Sequence, residues 1–242
     1  MNVTAPSGAR IRNSKFYWEP MTFLVENQLF KVARHLFVDS SKSAVFSSMF
    51  SIPQGNADMV DGSDDEHPVV LQDVQSADFE HLLAALVAWD QKMPAPPALG
   101  RDGWFSVLKL ASMWRMQAIR RLAIDELTKL NMSDVDRVVY GKEYAVVDWV
   151  MSGYRDLTNR KTVITADDIS RLTVPTCLNV WQVQLSISET NDGGSVRTYF
   201  QLLESMFSSE LSDVFRRSQA FGDEIQWEKK HIYWELSPFV PN

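Results

Sequence analysis

The sequence predicts an α+β protein, with its strands gathered near the N-terminal end and helices dominating the rest. Three observations carry this. Residues 22–38 hold two short runs rich in branched and aromatic residues on either side of a polar turn. From residue 76 onward apolar residues recur at helical rather than alternating spacing. Capping residues and Pro/Gly breaks then cut the later sequence into helix-sized lengths.

Residues 1–15 are polar, contain Pro6 and Gly8, and read as a disordered lead. Residues 22–26 (TFLVE) and 29–32 (LFKV) are strand-like, and Asn27-Gln28 between them predicts a hairpin turn. Residues 35–38 suit a single helical turn. Asp39, Ser40, Ser41 and Ser43 offer caps for a helix over 44–50, in which Val45, Phe46, Met49 and Phe50 share a face. Residues 51–68 hold Pro53, Gly55, Gly62 and five acids, without the order of ligands a calcium loop requires, and read as a mobile, solvated loop.

Val69-Val70-Leu71 reads as a buried strand, and Ser76 starts a helix carrying Phe79, Leu82, Leu83 and Leu86. Residues 91–103 (QKMPAPPALGRDG) form a Pro- and Gly-rich loop. The run 104–130 keeps one helical period, with an interruption near Arg115-Met116-Gln117. Ser133 caps a helix through Glu143, and residues 147–160 form another with Trp149, Val150, Tyr154 and Leu157 on one side. Thr165 with Asp167 and Asp168 marks a helix start, and Pro175 opens a helix to about Leu185. Residues 189–195 (ETNDGGS) are a linker. Beyond it Tyr199, Phe200, Leu203, Phe207 and Leu211 define an amphipathic helix, read as packing on the preceding helices or as an oligomer surface. Residues 225–242 are aromatic-rich without a clear period, and no internal repeat is visible.

Composition narrows the function. The formal charge is −7 and the basic groups, including residues 115–121 and 216–217, are short and read as solvated faces, which excludes nucleic acid as the main partner. One cysteine, Cys177, excludes an internal disulfide, points to a reducing compartment and reads as a buried thiol. No signal-peptide or membrane-spanning run is present in the sequence. His35, His67, His81 and His231 lack metal-ligand spacing, and no phosphate-binding or nucleophile-elbow motif occurs. No cofactor, metal, small-molecule substrate or catalytic residue is expected.

The segments Phe23-Leu24-Val25, Leu29-Phe30-Lys31-Val32, Ser43-Ala44-Val45-Phe46, Met49-Phe50, Pro68-Val69-Val70-Leu71, Asp78-Phe79 and Leu82-Leu83 together resemble the BTB/POZ domain. FYWEPMTFLVENQLFKV, VLKLASMW, IRRLAIDEL and GKEYAVVDWVMSGYRDLTNR are similar to the large fungal group within that family. The resemblance implies a BTB fold over 16–130, a small mixed sheet flanked by helices, with the 104–130 run bent into two helices near Arg115–Met116. It further implies a BACK-like helical extension over 131–188, leaving 189–195 as linker and 196–242 as a C-terminal helix and aromatic tail.

Functionally it implies an intracellular, cytoplasmic or nuclear, protein–protein interaction module that can self-associate. The most concrete form is a substrate adaptor for a cullin-type ubiquitin ligase, and the alternative is a nuclear or transcription-linked scaffold. Adaptors of this family place an apolar-x-acid motif after the Met-Phe helix, which matches Met59-Val60-Asp61 beside Met49 and Phe50. Ala33 stands where many members have histidine, and Pro20 where an acid often opens the first strand, so the repressor-type charged pocket is incomplete. Residues 1–15 have no apolar stripe of the kind that builds the family's swapped dimer.

Overall fold

In the computed structural model, residues 11–13, 17–38, 43–51, 61–189 and 196–222 are described. Among them are a three-stranded sheet and ten helices, so the protein is α+β and mostly helical. It divides into two compact units, residues 1–99 and 100–242.

The first unit is built on β1 (Pro20–Val25), β2 (Gln28–Ala33) and β3 (Val69–Leu71), in the order β2-β1-β3. β1 is antiparallel to β2 and parallel to β3, with Phe23 opposite both Phe30 and Val69. The hairpin turn is Glu26-Asn27, one residue earlier than the sequence suggests, because Val25 pairs with Gln28. Glu26 takes a left-handed φ of 53° there. Its carboxylate accepts from the backbone N–H (3.1 Å) and Oγ (2.7 Å) of Ser76, at the start of α3 (Ser76–Asp90). Gln75, the N-cap of that helix, gives no side-chain cap, so a residue 50 positions away satisfies the orphan donor.

Alternation along β1 buries Met21, Phe23 and Val25. Phe23 meets Phe37 of α1 (His35–Val38) at 4.8 Å, Phe46 of α2 (Ala44–Ser51) at 5.9 Å and Phe79 of α3 at 5.4 Å, all in tilted or edge-on geometries. Ser43 accepts from the Phe46 N–H at 3.3 Å and so caps α2. β3 is an edge strand: Val69 is buried but Val70 is exposed, so the expected fully buried strand is half open.

The second unit begins inside the predicted Pro/Gly loop. α4 runs Gly100–Met113 and α5 Gln117–Lys129, followed by α6 (Asp134–Glu143), α7 (Val147–Asn159), α8 (Ala166–Arg171), α9 (Val174–Glu189) and α10 (Val196–Gln219). This unit begins within the span 16–130 that the resemblance implies for one domain. Inside it the Phe105 and Tyr140 rings lie 4.4 Å apart, Arg101 pairs with Asp136 (2.8 Å), and Trp149 Nε1 donates to Thr128 Oγ1 (2.8 Å), tying α4–α5 to α6–α7.

The two hairpins α4–α5 and α6–α7 turn alike. Arg115 (φ 53°) and Ala145 (φ 54°) are left-handed, and the next residue's N–H returns to the helix, Met116 to Ala111 O and Val146 to Gly141 O, each at 2.8 Å. This is the bonding of a helix ended by a left-handed residue, reached here without glycine at that position. The end of α3 is bonded the same way, with Lys92 left-handed (φ 50°) and the Met93 N–H returning to Ala88 O at 3.0 Å. Gly141 and Gly153 bring α6 and α7 together, since a Cβ at either would lie within 3 Å of the facing helix.

Ser133 caps α6 by accepting from Asp136 N–H, and Thr165 with Asp168 forms a reciprocal capping box at α8, both as the sequence suggests.

Candidate interaction surfaces

In the first unit, α2 presents Met49 and Phe50 half-buried. Phe50 stacks on Phe46 (6.4 Å, 15°), and the Arg34 guanidinium sits over its ring at 5.5 Å. Arg34 is also 3.5 Å from Glu19. Asp61 is exposed; Met59 and Val60 lie outside the described residues. Gly62 fixes the backbone beside Asp61: its C=O accepts from Thr22 N–H (3.0 Å) and its N–H donates to His67 C=O (2.6 Å).

Of the predicted acidic loop, residues 52–60 lie outside the described residues, and residues 61–68 carry local hydrogen bonds. Asp64 accepts from the N–H of Glu66 and His67 and pairs with His67 Nδ1 at 2.9 Å, and Lys31 reaches Asp65 at 3.1 Å. The His67 hydrogen bond leads the effects that hold the Asp64 carboxyl below its ordinary value. A second exposed group includes Trp18, whose ring lies 6.1 Å from that of His35. His35 pairs with Asp90 at 3.1 Å, and Trp89 and Met93 stand exposed next to Asp90 and just beyond α3.

In the second unit, α10 is part of the core. Leu203, Phe207, Leu211 and Val214 are buried with Val150, Tyr154, Leu157, Val180 and Val183. The side chains of Tyr199 and Phe200 lie outside the described residues. Val147, Glu204, Ser208, Leu211, Ser212 and Phe215 line a shallow groove between α7 and α10.

The same unit holds a polar knot. Glu210 accepts from Thr176 Oγ1 at 2.8 Å, from the Tyr154 hydroxyl and from Lys142 Nζ, and Lys142 Nζ also reaches Thr176 Oγ1 at 3.2 Å. Burial, then the negative charge of Glu210, pushes the Tyr154 hydroxyl upward, so it stays a donor. Burial also pushes Glu210 up, but the hydrogen bonds from Lys142, Tyr154 and Thr176 outweigh it and hold the carboxyl low. These groups join α6, α7, α9 and α10 to one another, and the knot is structural in its connections.

Two arginines that read as solvated are structural as well. Arg120 is 1% exposed and its Nη2 donates to the C=O of Tyr144 (2.6 Å) and of Ala145 (3.4 Å), with Phe221 at 4.3 Å on its guanidinium. Arg217 donates to the C=O of Lys142 (2.6 Å) and of Glu143 (3.4 Å). Together they satisfy four successive carbonyls at the end of α6, which a solvated-face reading of the basic groups misses.

Asp136 is the other charged hub. Burial pushes its carboxyl up, but hydrogen bonds from Arg101, Arg171 and Ser133 prevail and hold it at about 2. Cys177 is buried, and that burial pushes its thiol up, away from the reactive thiolate.

An open apolar surface lies on α8, α9 and the segment before them. Val163, Ile169, Val174, Leu178 and Trp181 are exposed around a cavity of about 220 Å³, and Leu185 is exposed further along α9. The sequence places a helix here, but both of its sides are apolar, so periodicity does not say which faces solvent. No group of His, Cys, Asp and Glu suited to a metal occurs among the described residues, and no helix among them is long and apolar enough to cross a membrane. No protein-family model matches the sequence, and no curated protein matches it.

Proposed function

We propose that this chain is a non-catalytic protein–protein interaction module of the BTB/POZ type, acting as a substrate adaptor for a cullin-type ubiquitin ligase. Residues 16–130 are then the BTB domain and residues 131–188 a BACK-like extension. The order of elements supports this: a hairpin, two short helices, a third strand parallel to the first, α3, and a two-helix hairpin.

The observation that carries the functional half is the α2 surface. The aromatic core of Phe23, Phe37, Phe46 and Phe79 is closed, yet its outward continuation, Phe50 under Arg34 with Met49 beside it, is left partly open. A half-open aromatic and methionine patch next to an arginine is the composition of an interface centre. Asp61, held by the Gly62 hydrogen bonds to β1 and His67, supplies an acidic group in the same unit. By contrast, the displaced titratable groups Asp136, Glu210 and Asp168 are engaged in caps and ion pairs between helices. A pulldown of a purified cullin scaffold by the full chain tests the proposal. Binding is expected, and Met59→Ala with Asp61→Ala weakens it. No binding by the parent chain overturns it.

A further inference from the structure

We propose that Ser63 is a phosphoacceptor for an acid-directed protein kinase, one whose basic substrate cleft reads carboxylates placed after the acceptor hydroxyl. The inference rests on residues 61–68 and stands or falls separately from cullin binding.

The sequence supplies the charge pattern. Ser63-Asp64-Asp65-Glu66 puts a carboxylate at each of the three positions after the hydroxyl. Kinases choose substrates by such patterns, because a carboxylate that meets a basic group in the cleft steers and holds the acceptor. In an extended chain the residue three places on lies about 10 Å from the acceptor. Its charge is then clear of the negative phosphates of the nucleotide.

Three other hydroxyl residues have an acid three places on: Ser133 with Asp136, Thr165 with Asp168, and Ser186 with Glu189. The fold withholds all three. Ser133 Oγ accepts from the Asp136 N–H (3.0 Å), and the Asp136 carboxylate is taken by Arg101 (2.8 Å) and Arg171. Thr165 Oγ1 accepts from the Asp168 N–H (3.2 Å), and the Asp168 carboxylate accepts from the Thr165 N–H (2.9 Å) and from Arg160 (2.8 Å). Ser186 lies inside α9 and donates to Gln182 C=O at 3.0 Å. Each hydroxyl is fixed in a helix or at its cap, and none reaches an extended cleft without unwinding that helix.

Ser63 has neither constraint. Residues 63–66 are exposed and lie outside any helix or strand. Ser63 Oγ donates to its chain neighbour, Asp64 Oδ2, at 3.2 Å. The Glu66 carboxylate makes no hydrogen bond or ion pair with the described residues. The turn is pinned at its root, where Gly62 accepts from Thr22 N–H (3.0 Å) and donates to His67 C=O (2.6 Å). Opening residues 63–66 gives up the Asp64 bonds to Glu66 and His67 and the exposed Lys31–Asp65 pair (3.1 Å), and uncovers no apolar side chain. A turn of this kind opens at low cost.

In the transfer, Ser63 Oγ attacks the γ-phosphorus of the kinase's Mg-bound ATP. The new O–P bond forms as the bond to the β-phosphate oxygen breaks, ADP leaves, and the hydroxyl proton passes to the kinase's base. The product gains roughly 1.5–2 negative charges. They arise two residues from Asp61, in a turn that already holds Asp64, Asp65 and Glu66.

The test is incubation of the full chain with Mg-ATP and a purified acid-directed serine kinase of the casein-kinase type, followed by intact-mass measurement and fragment mapping. A single phosphate on Ser63 is expected, and Ser63→Ala is expected to remove it. Glu66→Gln keeps the acceptor and is expected to lower kcat/KM for the transfer about tenfold, as loss of a charge contact does. Circular dichroism checks that both variants fold. An arginine-directed kinase is expected to leave Ser63 unmodified.

A chain that takes no phosphate on Ser63 overturns the inference, as does incorporation undiminished by Ser63→Ala. Transfer to Ser63 at the same rate with Glu66→Gln overturns the acid-directed reading. Phosphate mapped instead to Ser133, Thr165 or Ser186 overturns the selection by the fold.

Discussion

Gly153→Ala in α7 sets two effects of opposite sign against each other. Alanine is the better helix former, and in an open helix the change stabilises by about 1 kcal/mol. At this site the new Cβ would lie 2.6 Å from Val138 Cγ2, 2.8 Å from Asp134 O and 3.0 Å from Val138 N. Two of those three atoms are α6 backbone, which cannot rotate away, so the helices must separate by a few tenths of an ångström or more. Overpacking of this kind costs typically 1–3 kcal/mol and more when backbone must move. The neighbours that lose contact, Val138, Val150 and Tyr154, are fully buried or nearly so, which places the cost at the upper end. The expected net destabilisation is about 2 kcal/mol, or roughly 4–8 °C in thermal midpoint for a chain of this size. Urea unfolding followed by far-UV circular dichroism and by tryptophan fluorescence measures it, Trp149 being buried in the same helix. An unchanged or raised midpoint would refute the close α6–α7 crossing, because propensity alone then decides the outcome.

Three further outcomes follow from the charged groups. Asp136→Asn is expected to lower stability at pH 7 by on the order of 1–2 kcal/mol, allowing for its part-exposed arginine partners. The folded carboxyl sits at about 2, below its ordinary 3.8, so this contribution is present above about pH 4 and is lost as pH falls toward 2. Unfolding midpoints of the two proteins are therefore expected to converge in acid, and a constant difference contradicts the ion-pair account. Glu210→Leu leaves Lys142 without its carboxylate partner and is expected to cost about 2–3 kcal/mol. Adding Lys142→Met is expected to recover much of that in a double-mutant cycle, whereas strict additivity argues against the knot. Arg120→Ala uncovers carbonyls at the end of α6 and leaves a cavity under Phe221, with an expected cost of about 3 kcal/mol in the same urea assay.

The parts of the fold written in local chemistry are legible in the sequence. Ser133 and Thr165 announce α6 and α8 because a cap is a contact within four residues, and the stripe of Trp149, Val150, Tyr154 and Leu157 announces the buried side of α7. Features set by distant partners are not. The left-handed Glu26 is held by Ser76, so the residues around the turn suggest Asn27-Gln28 instead. α4 begins at Gly100, within a Pro- and Gly-rich stretch that reads as loop throughout. Val70 looks buried because an edge strand and a central strand share the same three residues of pattern. Arg120 reads as solvent-facing because its acceptors are carbonyls 24 and 25 positions away. Among the proposed site residues, Met49 and Phe50 are singled out by the resemblance of the Met-Phe pair. The open face of α9 is not, since Trp181 and Val180 are neighbours of similar apolarity and only the packing of α7 and α10 decides which is covered.

The most direct measurement of the central claim is a calorimetric titration of a purified cullin scaffold into the full chain, repeated with Phe50→Ala and with Asp61→Ala. Saturable one-to-one binding at micromolar affinity or tighter is expected, weakened about tenfold or more by Phe50→Ala, as for an anchor at an interface centre. No heat of binding at any concentration, or binding indifferent to both substitutions, would contradict it.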